Sequence, residues 1–171
     1  MYEFSTPMAL TDFIPVLLFG VAAVLMQRDF YNKMPKYAFA CFAAGCVNVF
    51  LAGFLKATWK LLYAAGICDF HVLNTMFLPV QSLGLLLTGF GLILMLTARK
   101  KAALAVAPPV FSGTFVFITM MVAGLGAMCA SRDGSSSAMN WIEQGVNTLG
   151  QALLLFGVTR LHRAGLRNFE L

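Results

Sequence analysis

Residues 74–96 read NTMFLPVQSLGLLLTGFGLILML, a run of 23 residues without an ionisable side chain. A helix needs about 20 consecutive, mainly apolar residues to cross the hydrocarbon core of a bilayer. Four other stretches of similar length and largely apolar character occur at 7–26, 37–55, 106–128 and 139–161. The sequence therefore predicts an all-α fold, a polytopic transmembrane bundle of five spans.

The composition also indicates a membrane protein. Hydrophobic residues make up 60% of the 171-residue chain, charged residues make up 11%, and the mean hydropathy is +0.81. Soluble domains are about 45–50% apolar and about 25% charged, so a soluble fold would expose too much apolar surface to water. Five spans leave no room for a soluble catalytic domain. We therefore expect a single transmembrane domain over residues 1–171, with function located between helices or in short loops.

The segment between the second and third predicted spans is ambiguous. Residues 57–73, ATWKLLYAAGICDFHVL, are apolar but short, and they include Lys60, Asp69 and His71. Such a segment is typical of an interfacial or re-entrant outer helix, and a sixth span is the alternative. A sixth span would place the basic run at 99–101 on the same side as the amino terminus, which the distribution of basic residues disfavours.

The basic residues predict the orientation of the bundle, because cytoplasmic loops are enriched in Lys and Arg. With five spans and an external amino terminus, the cytoplasmic side carries nine bases, and the outside carries only Lys56, Lys60 and Arg132. We expect a multi-pass protein of the cell membrane with a cytoplasmic carboxyl terminus. The basic cytoplasmic tail, 162–171, would contact the anionic inner leaflet.

Polar side chains on the fifth predicted span suggest where function resides. Residues 140, 143, 147 and 151 are spaced by three, four and four positions, so they share one helical face. Polar groups are costly in hydrocarbon, and this face must therefore contact protein or water. Together with polar groups on other spans it would line an outer cavity for a small polar or cationic ligand. The predicted ligand-binding residues are Asp12, Asn48, Asn74, Gln81, Trp141, Glu143, Asn147 and Gln151.

Glu143 is the strongest single candidate, because it lies within a predicted span without an obvious basic partner. Its carboxyl group must be protonated, paired with a loop base such as Lys60 or Arg132, or countered by a bound cation. The first and third states favour proton or cation coupling, and the second is structural. The amide side chains have an alternative role, because interhelical hydrogen bonds between such groups stabilise small membrane bundles.

Small residues predict where helices approach closely. Gly84 and Gly91 are seven residues apart on the third span, and Ala40 and Ala44 are four apart on the second, with Gly45 beside them. Both patterns are typical of tight helix contacts in membranes, within one chain or with a partner.

No sequence motif indicates catalysis or a cofactor. The four cysteines form no CxxC or Cys/His cluster, and HExxH, GxSxG and Walker sequences are missing. We expect no metal, no cofactor and no nucleic-acid partner. Enzymatic activity is not expected either, and an intramembrane enzyme that uses Glu143, or Asp69 with His71, is a third hypothesis.

Two functions fit the sequence better than an enzyme. The first is a protein that binds and transports a small polar or cationic solute through the outer half of the bundle. The second is a non-transporting accessory or sensor subunit, whose polar stripe is a helix–helix interface. The partners expected are the lipid bilayer, a small ligand, and a membrane protein or a second copy of the chain.

Overall fold

The structure of the protein, a computed structural model, describes residues 5–97, 137–163 and 165. Three segments of this part of the chain, Thr6–Phe30, Lys36–Ala64 and His71–Met95, are helical, long and apolar enough to cross a membrane. The prediction of an all-helical fold is confirmed for the described residues, which contain no strand, and the three long apolar helices suggest a membrane protein. Their helices are α1 (Thr6–Thr11), α2 (Phe13–Phe30), α3 (Lys36–Ala64), α4 (His71–Thr75), α5 (Phe77–Thr97) and α6 (Ser137–Arg163).

The number of spans remains a prediction. The predicted fourth span, 106–128, lies outside the described residues. The predicted fifth span corresponds to α6, which at 27 residues has the length to cross a bilayer. Its polar side chains make α6 less apolar than the three segments named above.

The predicted outer segment 57–73 is not a separate interfacial or re-entrant helix. α3 runs without a break from Lys36 to Ala64, so residues 57–64 form its last two turns and Lys56 and Lys60 lie inside a long helix. At about 1.5 Å per residue, α3 is about 43 Å long. It therefore exceeds the hydrocarbon core of about 30 Å, which explains why charged residues occur in its last turns.

Gly66 explains where α3 ends. This glycine has a φ of 68°, a left-handed conformation that side chains disfavour. The N–H groups of Gly66 and Ile67 donate to the carbonyl oxygens of Tyr63 and Leu62 over 3.1 Å each. These two bonds form a Schellman motif, which satisfies carbonyls at the helix end.

Proline accounts for the two short helices. Pro15 and Pro79 have no N–H to donate to the carbonyls four residues earlier, those of Thr11 and Thr75. α1 ends at Thr11 and α4 ends at Thr75. Both breaks lie against the last turns of α3, because α1 and α4 each contact that helix.

The most extensive helix contact joins the antiparallel helices α3 and α5. A Cβ atom on Gly45 would lie 2.6 Å from the Gly84 carbonyl oxygen, and one on Gly91 would lie 2.7 Å from the Phe42 nitrogen. Only glycine permits this separation of the two backbones. The expected seam at Gly84 and Gly91 does mark a helix contact, whereas the expected pair on α3, at positions 40 and 44, is exposed.

α2 and α6 run parallel, and polar contacts join them at both ends. Gln144 donates to the carboxylate of Asp12 at one end, and His162 contacts the carboxylate of Asp29 at the other. Between these contacts the packed residues are apolar, with a cluster of Ala22, Leu154 and Val158. Asp12 and Asp29 are separated by about 26 Å along the axis of α2, which is close to the thickness of the hydrocarbon core. We name the two ends of the bundle the Asp12 end and the Asp29 end.

The contact at the Asp29 end involves the first residues of the predicted basic tail, 162–171. His162 and Arg163 belong to α6, and residues 166–171 lie outside the described part of the chain. The Asp29 side chain is 1% exposed, and its two carboxylate oxygens lie 2.9 and 3.1 Å from His162 Nδ1. His162 therefore ties α6 to α2 instead of serving only as a surface group.

Substitution of Gly45 by Ala should destabilise the α3–α5 contact. The added Cβ would meet the backbone of α5, which cannot move aside as a flexible side chain can, and overpacking of this kind costs about 1–3 kcal/mol. Gly89→Ala is the matched control, because nothing lies within 4 Å of a Cβ at that position of α5. The free energy of unfolding in mixed micelles checks this. Equal effects of the two substitutions would contradict the packing described.

His162→Ala should also lower the free energy of unfolding, by about 1–3 kcal/mol, because it leaves the buried Asp29 carboxylate without this hydrogen bond. Arg163→Ala is the control, since Arg163 is the next residue of α6 and is exposed. We expect a clear loss of thermal stability for His162→Ala and almost none for Arg163→Ala. A result in the opposite order would show that the Asp29 end is held by other contacts.

Candidate functional site

A small cavity lies at the Asp12 end of the bundle, enclosed by residues of α2, α3, α5 and α6 and by the residue between α1 and α2. Its volume is about 80 Å³, which is room for a few water molecules. The wall contains both charged and amide side chains. The polar lining residues are Asp12, Lys56, Lys60, Gln81, Glu143, Gln144 and Asn147.

Asp12 and Lys60 form the shorter of two ion pairs in this wall. Lys60 Nζ lies 2.7 Å from Asp12 Oδ2, and their side chains are 3% and 13% exposed. The break between α1 and α2 places Asp12 opposite the last turns of α3, where Lys60 lies. Because a buried charge is costly without an opposite charge in contact, each side chain requires the other.

Gln144 completes the surroundings of Asp12. Its Nε2 donates to the second carboxylate oxygen of Asp12 and, over 2.8 Å, to the carbonyl oxygen of Met8. Its Oε1 lies 2.8 Å from the hydroxyl of Thr11, which can donate to it. The Gln144 amide is thus fully engaged, and it links α6 to the junction of α1 and α2.

Lys56 and Glu143 form the second ion pair, which is longer and more exposed than the first. Lys56 Nζ lies 3.8 Å from Glu143 Oε1, and the two side chains are 11% and 19% exposed. The same ammonium group lies 4.0 Å from the centre of the Phe77 ring, within the range of a cation–π contact. Lys56 therefore contacts an acid on α6 and an aromatic face on α5.

Amide side chains extend the polar lining of the cavity beyond the two ion pairs. Gln81 and Asn147 line the cavity, and Gln151 follows one turn further along α6, toward the Asp29 end. The Gln151 Oε1 atom is buried and has no hydrogen-bond partner among the described residues. A buried oxygen without a partner is costly and is a place where an ordered water or a ligand group would bind favourably.

The loop after α3 is attached to the helix beside the cavity. Trp59 is buried, and its Nε1 donates to Asp69 Oδ1 over 2.9 Å. The His71 ring contacts the Trp59 ring edge-on, with 6.3 Å between centroids. Asp69 and His71, the acid and base of the enzyme hypothesis, both contact the same indole, which gives them a structural role at this place.

Half of the predicted ligand-binding residues come together in the cavity: Asp12, Gln81, Glu143 and Asn147. The other four, Asn48, Asn74, Trp141 and Gln151, do not line it. Trp141 is 45% exposed and so forms no cavity wall. Asn48 and Asn74 are half-buried on α3 and α4.

Sequence reasoning missed three polar lining residues, Lys56, Lys60 and Gln144. Gln144 is four residues from Asn140 and three from Asn147, so the spacing that selected Glu143 selects Gln144 equally well. The two lysines were assigned to an external loop because the second span was ended at residue 55. Extending that helix to Gly66, its first strong stop signal, would have placed both lysines on it, four residues apart.

The structure shows one basic contact for Glu143. Its carboxyl group lies near a base on another helix, Lys56 of α3. Lys60 contacts Asp12, and Arg132 lies outside the described residues. Lys56 therefore provides an opposite charge for Glu143 within the bundle.

Comparison with protein-family models, with curated proteins and with solved structures found no match for this chain.

Lys60→Met should be strongly destabilising, because it leaves the Asp12 carboxylate buried without its base. Breaking a buried ion pair by removing one partner costs about 3–5 kcal/mol. Adding Asp12→Asn should recover at least half of this loss, since an Asn oxygen still accepts from Gln144 and carries no charge. A double-mutant cycle of unfolding free energies checks this. Additive effects of the two substitutions would contradict a direct ion pair.

Proposed function

We propose that the chain is an integral protein of the cell membrane that binds and transports a small polar solute through the cavity at the Asp12 end. In this proposal five helices span the bilayer, the Asp12 end faces outside, and the carboxyl terminus is cytoplasmic. The observation that carries the proposal is the concentration of two acids, two lysines and three amides around one cavity in an otherwise apolar bundle.

The cost of polar groups at this position supports a functional role. A buried charge is costly unless an opposite charge contacts it, and ionisable side chains in membrane proteins commonly mark ion or substrate pathways. A bundle that needed only stability would be served as well by apolar side chains at several of these positions. Retention of four charges around a cavity is therefore better explained by binding than by packing alone.

The cavity volume restricts the ligand. Pockets for drug-sized ligands measure about 300–1,000 Å³, whereas this cavity is about 80 Å³. It accommodates a solute of a few heavy atoms, or water molecules, without rearrangement. In the proposal Glu143 is the charged binding group, Gln81 and Asn147 supply hydrogen bonds, and Gln151 is the next polar group along α6.

A second candidate function is a non-transporting accessory or sensor subunit. The observation that favours it is the Gln144 amide, whose hydrogen-bonding atoms are all engaged within the protein. Interhelical bonds of this kind stabilise membrane bundles without any ligand. This candidate predicts a purified protein that retains no small molecule and isolates together with a membrane partner.

Glu143→Gln should abolish binding of the solute that the unaltered protein prefers while the protein remains folded, because the amide keeps the size of the side chain and removes its charge. Native mass spectrometry of the detergent-purified protein would detect a retained small molecule. Uptake of radiolabelled glycine, methylammonium, acetate and acetamide into proteoliposomes would detect transport. We expect at least one of these signals in the unaltered protein, and a loss of about tenfold or more in the variant.

Leu149→Ala is the matched control on α6, because Leu149 is exposed and lies away from the cavity. It should leave retention and uptake unchanged. Unchanged signals in folded Glu143→Gln would remove Glu143 from the proposal. The complete lack of a retained molecule and of uptake in the unaltered protein would favour the accessory subunit.

A further inference from the structure

We propose that the solute is a small zwitterion, with a cationic and an anionic group and no net charge. This inference rests on the proposed function and names the class of solute that the same cavity accepts. It replaces the expectation of a cationic ligand, which followed from assigning Glu143 no basic partner.

The first argument is the charge of the cavity wall. Among the described lining residues the formal charges are two negative, Asp12 and Glu143, and two positive, Lys56 and Lys60. They cancel. A simple cation or anion would add a charge that these four groups do not compensate, which is unfavourable at a partly buried site. A net-neutral solute leaves the balance unchanged.

The second argument is the difference between the two ion pairs. Asp12 and Lys60 are in close contact at 2.7 Å, and Asp12 also accepts from Gln144. Lys56 and Glu143 are 3.8 Å apart and more exposed, so their attraction is weaker and better screened. The Lys56–Glu143 pair is therefore the one that a ligand can open.

The third argument is the exchange of partners on binding. A cationic group can take the place of Lys56 beside Glu143, while an anionic group of the same molecule takes the place of Glu143 beside Lys56. One ion pair is then replaced by two, and Lys56 keeps its contact with the Phe77 ring. A cation alone supplies no anionic group to Lys56, and an anion alone supplies no cationic group to Glu143.

The test compares four probes of similar size and different charge: glycine as the zwitterion, methylammonium as the cation, acetate as the anion and acetamide as the neutral amide. Binding is measured as the shift in thermal unfolding of the detergent-purified full chain at neutral pH and fixed ionic strength. We expect glycine to bind about tenfold or more tightly than methylammonium or acetate. Acetamide should bind more weakly than glycine because it carries no charges to exchange.

Charge-removing variants test the assignment to this pair. Glu143→Gln leaves the wall with a net positive charge and should shift the preference from glycine to acetate. Lys56→Gln leaves a net negative charge and should shift it to methylammonium. The double variant Glu143→Gln, Lys56→Gln restores a net-neutral cavity wall, so it should fold even where a single variant does not. It should lose the preference for glycine over acetamide. Ser82→Ala, at an exposed position of α5, is the control and should alter no preference.

The outcomes separate this inference from the function on which it rests. If methylammonium or acetate binds the unaltered protein as tightly as glycine, the zwitterion class is overturned and solute binding stands. If none of the four probes binds and native mass spectrometry shows a retained molecule, its exact mass and fragmentation give its charge groups. A net-charged molecule then overturns the inference, and a zwitterion supports it. If no probe binds and nothing is retained, the proposed function itself fails.

Discussion

The ion pair between Asp12 and Lys60 is the interaction on which the Asp12 end of the bundle depends. Lys60 is one of the least exposed side chains of the described chain, and its ammonium group contacts a carboxylate that α6 also binds through Gln144. Burial makes both charges costly when separated and tightly associated when paired. Three elements that are far apart in sequence, the α1–α2 junction, α3 and α6, are thereby fixed relative to one another.

The packing of α3 explains why a cavity forms beside this pair. Glycines let α5 approach the backbone of α3 closely, whereas the contact between α2 and α3 is less extensive. Further along, α2 and α3 leave an apolar groove of about 590 Å³, lined by residues such as Leu17, Val21 and Val47. These side chains are exposed and apolar, as expected for a surface in contact with lipid. The ion pair lies at the Asp12 end, and toward the Asp29 end α2 and α3 pack through an apolar cluster that includes Phe30 and Phe42.

Much of the fold follows from the sequence, because apolar length, proline and glycine act locally. The stretch 74–96 is recovered in α4 and α5, and the Gly84 and Gly91 seam marks a contact with α3. The error over 57–73 has a physical cause. Two lysines after an apolar stretch indicate a helix end, although a buried carboxylate elsewhere in the chain makes one of them compatible with a helix interior.

The site was only partly predictable for the same reason. The spacing of polar residues on α6 predicts a polar face, and this face includes Glu143 and Asn147. Periodicity cannot show which residue of another helix lies opposite each polar side chain of α6. The chemistry of the site depends on which acids and bases are paired. Asp12 and Glu143 were both recognised, but their lysine partners depend on the register of α3 against α2 and α6, which only the folded chain provides.

The remaining length of α6 places a condition on any transport through this cavity. Beyond Gln151, the side of α6 that faces α2 continues as Leu154 and Val158, which pack on Ala22. A charged or zwitterionic solute cannot cross such a layer without large cost, so passage along this side of α6 would need the parallel helices α2 and α6 to separate. The bond between Asp29 and His162 holds these helices together at the far end. In a transporter built this way, the cavity binds the solute, and opening of that far contact is the step that would release it.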